Sequence, residues 1–394
     1  MNIIIFQQAP DIGGSEIYMA NLIKEWVKTG DNVIIYTNNE EYKQLCKNNK
    51  AHVNHLPFIL DIMGNKRGLI KTIVLLPLAI PWYLKNIFIN RKKADVIVMS
   101  GYSEKLLVTA LSVPFKIPVI WFEYPPMEPL LKRNLGIPRI FYKLLSKVCK
   151  RIIAISDNTA KSLILETGIP EKKVKLIYPA IPLPGSVARL TAKLKANKLR
   201  RKLGIRDKFV IGNISRLAKE KGQDYLIKSL PLIKQSVPNV CLVLAGRGPD
   251  FKRLQALCNE YQLQDDVHFL GFVSDKNAVI SLFDVFVFTS LWELEGFGLV
   301  ILEAMALKKP LVAFRKPPTT EILENNKNAL LTKLGNSSEM AKTIIKLLKD
   351  TDLGLKLSSN AFKDVTKRFN IKDNASILRN EFTSFINQNG NEKK

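Results

Sequence analysis

Two consecutive α/β domains, each a parallel sheet covered on both faces by helices, are the fold class this sequence predicts. Three observations carry that reading. Short apolar runs rich in β-branched residues alternate with longer helical patterns along the chain, and strands buried on both faces have that continuous apolar character. The length, 394 residues, exceeds the roughly 250–300 residues at which single cores stop growing. A proline-rich stretch, YPAIPLPGS at 178–186, interrupts the series and cannot continue a helix.

In the first half the strands are expected at 2–6 (NIIIF), 32–36 (NVIIY), 95–99 (DVIVM), 117–121 (IPVIW), 151–155 (RIIAI) and 174–177 (VKLI). In the second half they fall at 209–214 (FVIGNI), 240–245 (VCLVLA), 267–270 (VHFL), 285–288 (VFVF) and 311–314 (LVAF). Each run is bounded by turn-forming residues and followed by a helical pattern, which makes two doubly wound units. Their boundary lies between Pro179 and Lys208, giving domains 1–185 and 186–370. Arg189 to Arg206 holds eight basic residues and no acidic one, and reads as a helix leading into the second domain. The tail from Ile371 to Ile386 reads as a helix and Asn387 to Lys394 as frayed.

Composition narrows the function. At 46% hydrophobic residues the chain can build real cores. NIIIF directly follows the start and is too short for the apolar region of a signal peptide. Cys46, Cys149, Cys241 and Cys258 are far apart without a CxxC pair, and read as reduced core residues of a cytoplasmic protein. His52 and His55 could share a helix face but lack a third ligand, so a loop or surface position is expected rather than a metal site. The net charge of +25 attracts polyanions without choosing among nucleic acid, anionic lipid and phosphorylated substrates. No nucleic-acid-binding motif accompanies it.

Two stretches bear on membranes. IVLLPLAIPWYL (73–84) is an uncharged run of 12 residues between Lys71 and Lys85, interrupted by Pro77 and Pro81. That is short of the roughly 20 residues a span needs. In PRIFYKLLSKVCKR (138–151), Arg139, Lys143, Lys147 and Lys150 recur at helical spacing, with Ile140, Phe141, Leu144, Leu145 and Val148 on the other side. Such a basic amphipathic helix suits an anionic membrane surface, or an ordinary surface position with its apolar face on the core.

Four loops carry the candidate chemistry. In LWELEGFGLVILEAMA (291–306), Glu295 precedes Gly296, Phe297 and Gly298 after a strand, and Glu303 sits in the helix that follows. Ligands of open α/β sheets sit at the carboxyl ends of strands, and helix N-termini favour anions. The two glycines permit close backbone approach. A loop carboxylate can accept from sugar hydroxyls, and one inside the helix can hold a ribose diol; surface glutamates would show the same spacing. In ISRLAKEKG (214–222), Arg216 and Lys221 flank a turn where both can reach a diphosphate. In LAGRGPDFKRL (244–254), Gly246 and Gly248 form a strand-to-helix turn that fits either a nucleotide contact or simple tight packing. In APDIGGSEIYMANL (9–22), Gly13 and Gly14 precede a helix with Ser15 as its cap, a geometry able to cradle phosphate. The loop lacks the G-x-G-x-x-G spacing and downstream acid of nicotinamide enzymes.

The order of these motifs (Gly-Gly loop, R-x4-K-G, GxGP, then E-x7-E within EGFGLVILEAMA) resembles the retaining glycosyltransferases of family 4 over nearly the whole chain. The resemblance implies the GT-B fold: two Rossmann-like doubly wound domains facing each other across a cleft. The first domain would bind acceptor and the second nucleotide-sugar, with the tail (371–394) returning to the first. It implies that Arg216 and Lys221 neutralise the donor diphosphate, that Glu303 binds the ribose, and that Glu295 lies near the sugar hydroxyls. Gly13 and Gly14 would face the phosphates and acceptor, Gly246 would line the donor site, and Phe297, Gly298 and Leu299 would offer backbone groups. No metal or other cofactor is implied, in keeping with the absent Asp-x-Asp signature. The partners implied are a nucleotide-sugar donor and a glycan or polyprenyl-phosphate-linked acceptor. The implied setting is the cytoplasm, on the inner face of the cytoplasmic membrane.

Three departures from the family pattern cluster where sugar and acceptor would lie. Glu123 in WFEYPP (121–126) stands where the family often has histidine, and is an acceptor-side candidate. KPPTTE places Pro317, Pro318, Thr319 and Thr320 before Glu321 where the family usually has Gly-Gly. The segment from Ser290 to Glu295 is two residues longer than usual. These leave a second reading, a non-catalytic relative that binds sugars or polyanions.

Overall fold

The apolar runs assemble into two all-parallel sheets in a computed structural model that describes residues 1–62, 66–127 and 137–391. The first holds β1 (Asn2–Phe6), β2 (Asn32–Thr37), β3 (His52–His55), β4 (Val96–Met99), β5 (Val119–Glu123), β6 (Arg151–Ala154) and β7 (Val174–Leu176), in the order β3-β2-β1-β4-β5-β6-β7. Register is continuous: Ile3 lies beside Val33 on one side and Val96 on the other. The second holds β8 (Phe209–Ile214), β9 (Val240–Ala245), β10 (Val267–Gly271), β11 (Val285–Phe288), β12 (Leu311–Phe314) and β13 (Leu330–Thr332), in the order β10-β9-β8-β11-β12-β13. Each sheet starts at its middle, builds outward, then reverses, so the switch points lie between β1 and β4 and between β8 and β11. Ligands of such sheets bind beside those points.

The helices of the first sheet are α1 (Gly14–Lys28), α2 (Glu40–Asn48), α3 (Lys66–Asn90), α4 (Tyr102–Ser112), α5 (Ile137–Ser146) and α6 (Asp157–Thr167). α3 packs on α4, α4 on α5 and α5 on α6, forming one layer, while α1 packs on α2. The second sheet carries α7 (Ser186–Lys202), α8 (Gln223–Ser236), α9 (Phe251–Glu260), α10 (Lys276–Leu282), α11 (Leu299–Ala306), α12 (Thr319–Ile322), α13 (Ser337–Lys349) and α14 (Thr351–Arg368). A last helix, α15 (Ile371–Asn391), packs on α1. The chain thus divides into one lobe of Met1–Ala180 plus the segment from Ile371, and another of Ile181–Asn370.

Each lobe has its own core. Ile4, Phe6, Ile97, Met99 and Trp121 centre the first, and Leu242, Leu244, Val285, Val287 and Val312 the second. The four cysteines are buried and free. The basic stretch 189–206 lies largely in α7, where Arg200 meets Asp284 at 2.7 Å and Lys195 meets Asp275 at 2.7 Å.

The structure departs from the sequence reading at several elements. His52 and His55 stand on an edge strand, β3, and not in a loop, with both side chains at the surface; HVNH has one apolar residue and three polar ones, so it gives no strand signal. The strand expected at 117–121 runs two residues later, because Pro118 has no N–H to give and contributes only its carbonyl, to Ile97 at 2.9 Å. β13, three residues long, was not anticipated. The 12-residue apolar run is the middle of α3, 25 residues long and continuous through Pro77 and Pro81. By length and composition alone α3 is sufficient to cross a membrane, with mean hydropathy 1.6. Helix α15 continues to Asn391, past the expected fraying at Asn387; residues 392–394 lie outside those described.

Candidate active site

The second lobe brings its charged motif residues together at the β8/β11 switch point. Two loops meet there: 215–222 after β8 and 289–298 after β11. Backbone bonds join them, Leu291 N–H donating to the Glu220 carbonyl at 2.8 Å and the Thr289 hydroxyl to the Lys221 carbonyl at 2.8 Å. Gly222 makes the crossing feasible, since it has φ +66° and a Cβ there would meet the Thr289 carbonyl oxygen at 2.3 Å. As a result Lys221 Nζ lies 2.6 Å from Glu295 Oε2, both side chains being mostly buried. Ser290 Oγ donates to the same carboxylate oxygen at 2.6 Å.

Each cation retains donors beyond its present partner. Lys221 carries three N–H donors; one goes to Glu295, and the ammonium sits 4.5 Å over the Trp292 ring. Arg216 pairs with Glu220 at 2.5 Å through one of its five N–H donors and is 58% exposed, so its guanidinium is open to an incoming anion. A third cation approaches from the loop after β12. Lys316 Nζ donates to the Trp292 carbonyl at 2.8 Å. Burial pulls its ammonium below the ordinary lysine range, against the opposing attraction of Glu295 and Glu293. The Pro317–Pro318 peptide beside it is cis.

Glu303 sits on α11, whose N-cap is Gly298 at φ +89°. Lys276, the first residue of α10, holds Glu303 Oε1. Glu303 Oε2 is buried and has no partner among the described residues. A buried acceptor left unpaired costs about 1–3 kcal/mol. The first turn of α11, from Leu299, presents backbone N–H groups at the same loop. Between Gly296 and Gly298, Phe297 is buried with its ring 5.7 Å from that of Phe369, so its side chain anchors the loop.

The GxGP turn is explained by packing. A Cβ on Gly246 would lie 1.9 Å from the Ser215 carbonyl oxygen, and one on Gly248 2.1 Å from that of Leu217. Leu217 N–H donates to the Arg247 carbonyl at 2.9 Å and Asp250 N–H to that of Leu217 at 3.0 Å. The turn therefore buttresses the loop that carries Arg216.

In the first lobe the expectations are revised. Gly13, not Ser15, is the N-cap of α1, and the Glu16 carboxylate accepts its N–H at 2.9 Å and the Ser15 hydroxyl at 2.8 Å. The Glu16 carboxylate thus caps α1 beside Gly13 and Gly14. Glu123, the acceptor-side candidate, is 1% exposed. It pairs with Lys105 at 2.6 Å and accepts the Tyr142 hydroxyl. The β-strand extends through residue 123 and turns this carboxylate into the helical layer, so it is a core ion pair and not a group facing an acceptor.

Sequence reasoning missed Lys276, Ser290, Trp292 and Lys316. Lys276 lies 27 residues from its partner, and such distant pairing has no local signal. Trp292 lies within the Ser290–Glu295 segment whose length departs from the family pattern, and its ring lies under Lys221. Among the described residues there is no cluster of three or more His, Cys, Asp or Glu side chains able to hold a metal ion.

Comparison with known proteins identifies the family and the fold. Residues 12–183 match the family model described as Glycosyltransferase Family 4, and residues 195–364 the one described as Glycosyl transferases group 1. The putative glycosyltransferase EpsD of Bacillus subtilis is 30% identical over 206 residues, covering 52% of this chain and 53% of that protein. The GDP-mannose-dependent alpha-(1-6)-phosphatidylinositol monomannoside mannosyltransferase of Mycobacterium tuberculosis is 29% identical over 179 residues, covering 44% and 46%. The chain thus spans about half the length of these curated relatives. The crystal structure of Anabaena Alr3699/HepE with UDP superposes with TM-score 0.82 at 23% identity, covering 98% of this chain and 100% of that one, a likeness of fold. The two family models between them account for both lobes, and the chain belongs to the family 4 glycosyltransferases with the GT-B fold.

Proposed function

We propose that the protein is a retaining glycosyltransferase that moves a hexosyl-type sugar from a nucleotide-sugar to a glycan or polyprenyl-phosphate-linked acceptor in cell-surface polysaccharide or glycoconjugate synthesis. The observation that carries this reading is the Lys221–Glu295 pair at the switch point, with Arg216 on the same loop as Lys221, together with a buried Glu303 oxygen on the helix that follows, without a partner among the described residues. In this reading the Glu303 Oε2 accepts from a ribose hydroxyl. The diphosphate lies at Arg216, Lys221 and the N–H groups of the α11 first turn. Glu295, held by Lys221 and Ser290, accepts from the hydroxyls of the sugar. Solved structures of Alr3699/HepE with UDP and with UDP-glucose support a nucleotide-sugar as the donor class.

The chemistry follows from charge. The bond from the anomeric carbon to the diphosphate breaks through an oxocarbenium-like state, and negative charge grows on the leaving diphosphate. Lys221 and Arg216 are placed where it develops, and losing one such group costs roughly 2–4 kcal/mol in the transition state. The acceptor hydroxyl attacks from the face the diphosphate leaves and passes its proton to the departing diphosphate oxygen, which retains the anomeric configuration. No metal is needed in this scheme, because the cations are supplied by side chains. We place the protein in the cytoplasm, against the inner face of the cytoplasmic membrane.

Glu303→Ala tests the reading. The variant should keep the wild-type melting temperature and lose the stabilisation given by the cognate nucleotide-sugar, which for wild type is about 2.7 kcal/mol at a hundred times the dissociation constant. Donor affinity unchanged in that variant would overturn the site assignment. Failure of the wild type to consume any nucleotide-sugar would turn the reading to a non-catalytic binder.

A further inference from the structure

The helical layer of the first lobe leaves an apolar and basic face uncovered. Along α3, Ile70, Ile73, Val74, Leu78, Phe88 and Ile89 are between 51% and 69% exposed, at positions that form one stripe. Only 22% of the most apolar window of that helix is buried. On α5, Ile140, Phe141 and Leu144 are more than half exposed. The two helices flank α4 in one layer, and α4 is mostly buried between them. A cluster of exposed apolar side chains on this scale marks an interaction surface.

Charge selects the partner. From Lys66 to Lys93 there are seven basic residues (Lys66, Arg67, Lys71, Lys85, Arg91, Lys92 and Lys93) and no acidic one. From Ile137 to Ser156 there are five, again with none acidic. Arg139, Lys143 and Lys147, with Thr167, Ile140 and Leu144, line a cavity of about 390 Å³ at the outer edge of α5. Three cations over an apolar floor fit a phosphate ester whose chains continue into hydrocarbon. The interfacial helices of monotopic proteins combine the same two features.

We propose that this face rests on a bilayer rich in anionic phospholipid, with the apolar stripe of α3 and α5 in the interface and one lipid phosphate held by Arg139, Lys143 and Lys147. The inference rests on the membrane placement proposed above and not on the transfer chemistry. It makes α3 a helix that lies along the membrane, since its other face (Thr72, Ala79, Tyr83, Ile87 and Asn90) is buried in the lobe.

Co-sedimentation of the full chain with vesicles tests it, without donor or acceptor, so that the result is separate from catalysis. The wild type should bind vesicles of phosphatidylcholine mixed with phosphatidylglycerol and bind pure phosphatidylcholine far more weakly. Arg139→Gln with Lys143→Gln and Lys147→Gln should lower binding to mixed vesicles on the order of a hundredfold, and Ile73→Ser with Val74→Ser and Leu78→Ser should weaken binding to both. A polarity-sensitive dye on Leu78→Cys should shift to the blue with mixed vesicles, a readout that does not depend on the multiple variants folding. Equal binding to both vesicle types would overturn the headgroup assignment. An unshifted dye, or a dimer in sedimentation velocity that the α3 variants dissolve, would overturn the membrane assignment in favour of a second copy on this face.

Discussion

Two carboxylates of the first lobe, 19 residues apart in sequence, show how burial divides into different chemistries. Glu123 is compensated by Lys105 and Tyr142. Glu104 is fully buried, accepts the Gln8 N–H at 2.6 Å through Oε1, and leaves Oε2 without a partner. Burial pushes its pKa up from 4.5 to about 7, with the Gln8 N–H, its own backbone N–H and Lys105 opposing. The sign of the consequence is fixed by linkage. Between those values the folded chain holds a proton that the unfolded chain has released, so stability falls as pH rises through that window and levels off above it. The loss is on the order of 3 kcal/mol. Glu104→Gln cannot ionise and should remove this step: urea midpoints of variant and wild type should diverge in favour of the variant between about pH 5 and pH 8. Parallel profiles would show that Glu104 is not the titrating group. Neither partner set was legible in the sequence, where Glu104 carries no motif and Glu123 was read from its place in a family pattern. Ion pairs formed across packed helices have no local signature, whereas Glu295 and Glu303 announce themselves through the glycines and helix signals around them.

At the level of elements, most strands that could be read are continuous Val and Ile runs buried on both faces, and the edge strands β7 and β10 were read from apolar residues although they are partly exposed. β3 escaped because HVNH is polar, and β13 because LLT, though buried, is too short to show a period. α3 was shortened because its prolines and lysines break a composition pattern without breaking the helix. Glycines in turns were legible as turns, but their purpose was not. Gly246 illustrates this, with φ +140° and the Ser215 carbonyl oxygen where a Cβ would stand. That neighbour is backbone and cannot swing aside, so Gly246→Ala must displace the loop carrying Arg216. A strained backbone position costs about 1–3 kcal/mol, and the loss should appear as a lowered urea midpoint. The same variant should raise the KM for donor, because Arg216 moves with the loop. Wild-type stability with wild-type KM would mean that the turn yields freely and is not a buttress.

For the whole molecule, the two-domain reading came from alternation and length, while the route of the chain end depends on contacts nearly the full sequence apart. α15 closes the first lobe although it follows the second in sequence. Trp26 is buried against Phe382, ring centroids 5.6 Å apart, and its indole N–H donates to the Ala375 carbonyl at 3.1 Å. The Tyr18 hydroxyl donates to Asn374 at 2.6 Å, Arg379 pairs with Asp31 at 2.9 Å, and Arg151 pairs with Glu381 at 2.6 Å. Leu378 and Phe382 are fully buried, and each contributes about 1.5–3 kcal/mol by burial. Together with the bonds to Tyr18 and Trp26, that approaches the 5–15 kcal/mol that holds a typical protein folded. Among the described residues, the core cluster of the second lobe, with members from Ile211 to Leu357, includes no residue of α15. Ending the chain at Asn370 should therefore unfold one lobe selectively. Trp26 emission should shift to the red, proteolysis should remove residues before 181, and a fragment from Ile181 to Asn370 should survive and still be stabilised by nucleotide. A truncated chain with wild-type emission and a single wild-type melt would show that α1 needs no cover. Loss of both lobes together would show that the second also depends on the closing helix.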